Sequence, residues 1–163
     1  MGEWLNGDGL YVKFGTDEAD TGTAGEYRTN GPQRMVEVEI TLANLGTASA
    51  ILDDNALLPA GFRIEKVEIV NKTAATGDTA VLNVGLIRKD RSTAYDADGF
   101  CAAVAIADFN AAGETLSFTQ PGSAAGGAFI GTTLAYSGYL VADYDTAAFT
   151  AGVVKVRIYM SKP

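Results

Sequence analysis

The chain has 163 residues, of which 47% are hydrophobic and 20% are charged, and its formal net charge at pH 7 is −8. These values predict one folded domain with a sizeable core and argue against global disorder. They also exclude a nucleic-acid partner, because the negative charge would repel a phosphate backbone. The densest group of cations, at positions 88–91, is interrupted by Asp90.

Nothing in the sequence predicts membrane insertion or secretion. The longest apolar run, residues 101–107, is far shorter than the roughly 20 residues that cross a bilayer. Glu3 and Asp8 stand where a secretory signal needs a basic start and an apolar stretch. We therefore expect synthesis in a reducing cytoplasm and no membrane partner. The single cysteine, Cys101, has apolar neighbours and is predicted to be a buried, inert thiol.

Residues 1–34 differ from the rest of the chain, because they are rich in Gly, Asp and Thr and carry only isolated aromatic residues. We predict that they form an extended N-terminal arm, with one short strand at 10–14 and a loop that ends near Pro32. Residues 35–163 are predicted to form the folded β-domain.

Two stretches with opposite charges on their polar faces alternate strictly between apolar and polar residues. They are "MVEVEITL" at 35–42 and "VVKVRIYM" at 153–160, and each predicts a half-buried strand. One presents carboxylates and the other cations, so the two strands could pair or lie close together. The alternative is two unrelated faces that are both solvated.

The middle of the chain predicts two more strands separated by turns. A turn at 58–61 precedes a strand at 62–70, whose apolar residues change phase, so a bulge is expected near Glu65 and Lys66. A polar turn is predicted at 71–78. The next strand, 79–88, contains Gly85, which indicates a close approach of another backbone or a kink.

The remaining elements complete an all-β pattern. Residues 89–99 are predicted to be a long exposed loop, and 100–110 either a strand or a short helix. Further strands are predicted at 115–119, 128–134, 138–144 and 153–160. About eight short strands with frequent turn signals indicate an antiparallel β-sandwich or barrel.

Catalytic chemistry is poorly represented in the sequence. Histidine is absent, which removes Ser-His-Asp and Cys-His sites and the usual zinc ligand sets. Acidic groups of a kind that glycosidases use do occur, but they are also common in turns and helix caps: Asp17/Glu18/Asp20, Asp53/Asp54, Asp96/Asp98 and Asp143/Asp145. We predict no catalytic residue and no enzymatic activity.

The stretch "YDADGF" at 95–100 is the best candidate for a calcium loop. Asp96, Asp98 and Gly99 match the middle of an EF-hand loop, but Ala94 and Ala105 occupy its first and last positions. A calcium loop of another kind stays open as an alternative. We predict no metal site and no cofactor.

Aromatic residues are the best candidates for a binding surface. Tyr136, Tyr139 and Tyr144 could stack on sugar rings, or they could pack their rings and leave only the hydroxyls in water. Trp4 is the only tryptophan and lies in a segment too polar to form a core. We predict that Trp4, Leu5 and Tyr11 of the arm contact a partner.

Three stretches together resemble virion structural proteins of tailed bacteriophages, of the capsid decoration or cement type. They are "DGLYVKFGTDEADTGTAGEY" at 8–27, "LLPAGFRIEKVEIVNKTAATGDTAVLNVGL" at 57–86 and "GTTLAYSGYLVADYDTAAFTAGVVKVRIYM" at 131–160. The resemblance covers most of the chain, but its motifs are strands and turns rather than a site.

The resemblance implies a jelly-roll-like sandwich, a homotrimer and attachment to the outer surface of a phage head, with the major capsid protein as the partner. It implies no catalytic residues. We therefore expect a decoration protein that binds the capsid surface of the virion and stabilises the head. The alternative is a carbohydrate- or receptor-binding β-sandwich of a phage fibre or head fibre.

Overall fold

A computed structural model describes residues 33–91, 94–122 and 125–163. The chain divides into two units, Met1–Arg34 and Met35–Pro163, and apart from Gln33 and Arg34 the described residues belong to the second. Residues 1–32 of the predicted arm, with its strand at 10–14, lie outside the described residues, and its last two residues belong to β1. Within them, nine strands are present: β1 Gln33–Thr41, β2 Ala50–Ile51, β3 Leu57–Leu58, β4 Arg63–Gly77, β5 Val81–Arg88, β6 Ala94–Ala105, β7 Thr115–Phe118, β8 Gly138–Asp145 and β9 Phe149–Ser161.

The strands form two sheets that make a sandwich. The first sheet has the order β1-β9-β4-β7, and the second has the order β2-β8-β5-β6, with β3 also paired to β8. The chain crosses from one sheet to the other after β1, β3, β4, β6, β7 and β8. Interleaved sheets of this kind are typical of the jelly roll. The predicted all-β, jelly-roll-like antiparallel sandwich is therefore confirmed.

The core lies between the two sheets and follows from the period-two patterns. In β9, Val154, Val156, Ile158 and Met160 are buried, while the residues between them are only half-buried. Side chains of the second sheet meet them from the other side, among them Leu82, Val84, Leu86, Leu140 and Phe100. Burying one such side chain stabilises the fold by about 1.5–3 kcal/mol.

The predicted bulge in β4 is confirmed. The pairing with β9 passes from Ile64 opposite Met160 to Lys66 opposite Tyr159, so that Glu65 is an extra residue. This insertion shifts the phase of the strand by one residue. As a result, Ile64 before the bulge and Val67 after it both face the core.

The predicted turn at 71–78 is wrong over most of its length, because β4 continues to Gly77. Its small and polar residues suggested a turn, yet they stay paired to β9 as far as Gly77 opposite Phe149, through further register shifts. Asn71 and Ala75 are buried in this part of the strand.

The predicted loop at 89–99 is also wrong from residue 94 onward, because β6 begins at Ala94. The alternatives for 100–110 both hold in part, since β6 ends at Ala105 and a 3₁₀ turn follows at Ile106–Asp108.

Residues 128–134 form turns rather than the predicted strand, with isolated bridges at Ile130 and Thr133. Between those bridges Gly131 has a φ of 80°, which interrupts an extended strand.

Candidate interaction surface

The outer face of the first sheet carries charges that are paired with one another. Glu37 of β1 accepts hydrogen bonds from Lys155 at 2.9 Å and from Arg157 at 2.7 Å, both on β9. These two hydrogen bonds hold the pKa of Glu37 below its ordinary value, and the bond from Lys155 has the larger effect. The predicted proximity of the two oppositely charged strands is therefore confirmed.

The same pattern continues across the sheet. A hydrogen bond from Tyr159 lowers the pKa of Glu68, and Lys66 lies 3.5 Å from the same carboxylate. Lys72 of β4 pairs in the same way with Glu39 of β1. Exposed pairs of this kind contribute little to stability individually, but they leave few charges uncompensated. This face is typical of a solvated sheet rather than of a binding site.

On the second sheet, a buried polar cluster lies on the side away from the core. The Asn83 amide donates to Asp143 and to Asp145, each at 2.9 Å, and accepts a hydrogen bond from the Ala103 backbone N–H at 2.8 Å. Ser49 donates to the other oxygen of Asp143. Asn83 and Asp143 are only 8% and 7% exposed. The cluster joins β5, β6 and β8 by satisfying polar groups that would otherwise be buried without partners.

Aromatic rings and guanidinium groups form a surface at one end of the second sheet, which we call the aromatic–arginine patch: Arg88, Arg91, Tyr95, Tyr136 and Tyr139. The Arg88 guanidinium lies 4.1 Å from the centre of the Tyr136 ring, and that of Arg91 lies 4.9 Å from the centre of the Tyr139 ring. Tyr95 meets Tyr136 edge-on at 5.2 Å. Tyr136 is 46% exposed.

The three tyrosines considered for sugar stacking are not one continuous row. Tyr144 packs against the core cluster. The rings of Tyr136 and Tyr139 each have a guanidinium stacked over them. The arrangement therefore suits recognition of a planar anion such as a carboxylate better than stacking of a sugar ring.

The cations of the patch differ in their partners. Arg91 pairs with Asp54 at 3.0 Å. Among residues 33–91, 94–122 and 125–163, no carboxylate forms a salt bridge with Arg88 or Lys89. The Nε atom of Arg88 is buried and has no hydrogen-bond partner in that part of the chain. Two neighbouring cations at the β5–β6 turn are thus uncompensated within the described structure.

The pair considered for calcium also lies on β6. Burial, followed by the neighbouring Asp98, raises the pKa of Asp96, so two carboxylates crowd each other there. Over the described parts of the chain, no three acidic or cysteine side chains come together in a way that could hold a metal ion. Asp53 accepts a hydrogen bond from the Asn55 backbone at 2.8 Å, as a turn-forming aspartate does.

Three further predictions concern the cysteine, membrane insertion and the contact residues of the arm. Cys101 is fully buried on β6, opposite Val84, so its predicted burial is confirmed, and that burial raises the pKa of its thiol. In the part of the chain that the structure describes, no helix has the length and apolar character needed to span a bilayer. Trp4, Leu5 and Tyr11, predicted to contact a partner, lie outside the described residues.

Solved structures of phage capsids contain similar folds. A chain from the capsid of Ralstonia phage GP4 is 17% identical, has a TM-score of 0.53, and the match covers 82% of this chain and 86% of that chain. A chain from the cyanophage Pam1 capsid asymmetric unit is 19% identical, with a TM-score of 0.52 and the same coverage. A chain from the acidic stable capsid structure of Helicobacter pylori bacteriophage KHP30 is 15% identical, with a TM-score of 0.49, and the match covers 79% and 86%.

No model of a known protein family matches the sequence, and no curated protein matches it. At the identities found, the similarity establishes the fold. The Ralstonia and cyanophage matches span more than four fifths of both chains, so those capsid chains are close to this one in size and share its fold over that span.

Sequence reasoning found the cations at 88–91 and the tyrosines at 136–144 but not their relation to one another. The pairing of Arg88 with Gly138 across β5 and β8 brings the two groups together. Tyr95 was missed, because it lay in the stretch predicted to be a loop. The hydrophobic pattern of this stretch gave no signal that could have placed it beside Tyr136.

Proposed function

We propose that this chain is a structural protein of a phage head, and more specifically a decoration protein that binds the outer surface of the capsid and stabilises it. The observation that carries the proposal is the similarity of the fold, over most of both chains, to chains from two phage capsids. The sequence resemblance to capsid decoration proteins supports the same function independently.

The described surface is consistent with such a role. Adhesion to a lattice needs a rigid body and an exposed contact surface, and many weak contacts are multiplied by the number of equivalent sites. The sandwich supplies the rigid body. Its aromatic–arginine patch contains the residue types, Tyr and Arg, that contribute most binding energy at protein interfaces.

The proposal includes a homotrimer on the virion surface, with the major capsid protein as its partner. The arm residues Trp4, Leu5 and Tyr11 are proposed to make contact with the capsid. A tryptophan in a polar segment is a good anchor, because it can bury a large apolar area against a partner with few rotatable bonds.

The proposal is tested by mixing the purified protein with shells of the phage that encodes it, prepared without this protein, and sedimenting the shells. Co-sedimentation that saturates, together with a higher temperature of shell disruption, is expected for a decoration protein. Wild-type protein that stays in the supernatant at every concentration would contradict the proposal.

A second comparison addresses the arm. Deletion of residues 2–9 is expected to abolish co-sedimentation and to leave the circular-dichroism spectrum unchanged, because the sandwich is built from later residues. A matched variant, Trp4→Ala, should weaken binding without abolishing it. Unchanged binding by both variants would exclude the arm as the contact while leaving the decoration function open to other surfaces.

A further inference from the structure

The β5–β6 hairpin carries a pair of cations and a pair of carboxylates that form no ion pair within the described chain. Arg88 and Lys89 end β5 and begin the turn, and Asp96 and Asp98 follow on β6. None of the four takes part in an ion pair among residues 33–91, 94–122 and 125–163. On the first sheet, by contrast, the cations Lys66, Lys72, Lys155 and Arg157 all pair with glutamates.

The two pairs lie close to each other in the hairpin. Asp96 is opposite Leu86, two residues before Arg88 on the neighbouring strand. Two residues along a strand correspond to about 7 Å. The register therefore places the cations and the carboxylates on neighbouring strands at the same end of the hairpin, and no direct ion pair joins them.

The side chain of Arg88 is held in place before any partner binds. Arg88 is stacked over Tyr136, which fixes the plane of the guanidinium, and Tyr136 in turn contacts Tyr95. Groups that are ordered in advance lose less conformational entropy when they form an interface. The exposed ring of Tyr136 adds apolar area beside the charges.

We propose that this hairpin is the surface through which a second copy of the chain binds, with Arg88 and Lys89 of one copy facing Asp96 and Asp98 of the next. The inference rests on the proposed function in that it names the contact of the proposed oligomer. Adjacent charges of opposite sign are complementary to the same surface on another copy. In a closed ring of copies, one neighbour compensates the cations and the other neighbour compensates the carboxylates, whereas elsewhere the net charge of −8 makes copies repel each other.

The test measures self-association of the full-length protein by sedimentation equilibrium. Lys89→Glu and Asp98→Lys are the variants of choice, because both side chains are exposed and neither supports the core. Each reversal places like charges across the contact and is expected to weaken association at least about tenfold. The double variant, Lys89→Glu with Asp98→Lys, restores opposite charges across the contact and should recover most of the association.

Lys162→Glu is the matched control, since it makes the same charge change at another exposed lysine outside the hairpin. It should leave association unchanged. Arg88→Lys keeps the charge but removes the planar group stacked on Tyr136, and should weaken association less than the reversals do. Circular dichroism and urea unfolding of each variant show whether the sandwich is intact.

A wild-type protein that is monomeric at all concentrations would overturn the inference, as would single reversals that associate normally or a double variant that does not recover. Reversals that weaken co-sedimentation with shells but not self-association would also overturn it, and would assign the complementary charges to the shell protein. The proposed decoration function is judged separately, by whether wild-type protein binds shells.

Discussion

The two sheets of the sandwich solve the same packing problem in different ways. The first sheet has long alternating strands, and the charges on its outer face are paired across β1, β9 and β4. The second sheet places a buried polar cluster on its outer side and leaves charges uncompensated at one end. A face whose charges are already paired has few groups that could form new ion pairs with a partner. We therefore expect binding at the second sheet, where charges remain uncompensated.

The irregularity of the second sheet has a definite source in β6. Between the pairs Val84–Cys101 and Leu86–Asp96, β5 advances two residues while β6 advances five. The extra residues bulge, and their backbone passes directly over Gly85. Asn83 then holds the displaced strand through the Ala103 N–H, where Ala103 has a φ of 53°.

The largest expected effect comes from filling the space that Gly85 leaves. A Cβ atom at this position would overlap the Asp96 carbonyl oxygen and the Ala97 backbone, which cannot move without separating β5 from β6. Gly85→Ala should lower the free energy of unfolding by about 3 kcal/mol, measured by urea denaturation. Gly46→Ala is the control, because the nearest atom to its Cβ would be 3.8 Å away. Equal stabilities of the two variants would show that the strands are not in close contact.

The next largest effect is expected from the polar cluster. Asn83→Ala leaves the Ala103 N–H without its partner and removes the amide between the two carboxylates, which should cost about 2 kcal/mol. Hydrogen exchange at Ala103 should become faster at the same time. Asn110→Ala removes an exposed amide with one hydrogen bond to the backbone and should have little effect. A loss of stability without faster exchange at Ala103 would show that Asn83 does not anchor β6.

A smaller effect of opposite sign is expected at the strained residue itself. Ala103→Gly should stabilise the protein by about 1 kcal/mol, because glycine adopts a positive φ without steric penalty. Ala102→Gly, one residue earlier and with a negative φ, should instead destabilise it by about 0.5–1 kcal/mol. Thermal unfolding of the two variants measures the contrast, and changes of the same sign would argue against the bulge.

The smallest expected effects are changes in the pH dependence of stability, which differ between a carboxylate of the first sheet and one of the second. The folded-state pKa of Glu37 is lowered by its hydrogen bonds with Lys155 and Arg157, so its contribution is present above the unfolded value near 4.5 and is lost as pH falls through the folded value. Glu37→Gln should therefore be less stable than wild type at pH 7 but not in acid. Because solvent screens this exposed group, the difference should stay below about 1 kcal/mol.

Asp96 should show the reverse behaviour. Burial and Asp98 raise its pKa above the ordinary 3.8, so its stabilising contribution is present in acid and is lost as pH rises through the folded value. Asp96→Asn should be slightly more stable than wild type at pH 7 and equal to it in acid. Urea midpoints measured as a function of pH test both variants, and curves of the same sign would contradict the assigned causes.

Sequence patterns predicted the first sheet better than the second, for physical reasons. Strict alternation in β1 and β9, and the phase change at Glu65, are direct consequences of one buried face. The second half of β4 was missed because Asn, Thr and Gly are also turn residues, and only pairing with β9 makes this stretch a strand. The first half of β6 was predicted to be a loop because its bulges remove the period of two.

The aromatic–arginine patch could be predicted only in pieces. The local sequence contains the cations around the end of β5 and the tyrosines around the start of β8, but their contact depends on the register between β5 and β8. The buried cluster depends on the same register, which sets Asn83 opposite Asp143. The register between strands that are far apart in sequence cannot be read from the residues of either strand alone.

The position of the single cysteine gives the molecule a built-in reporter. Cys101 is fully buried at the centre of β6, so an alkylating reagent reaches the sulfur only when β6 separates from its neighbours. The alkylation rate in native buffer therefore measures how often this part of the sandwich opens. Comparison of that rate in free protein and in protein bound to shells would show whether attachment holds β6 closed, with no label added to the chain.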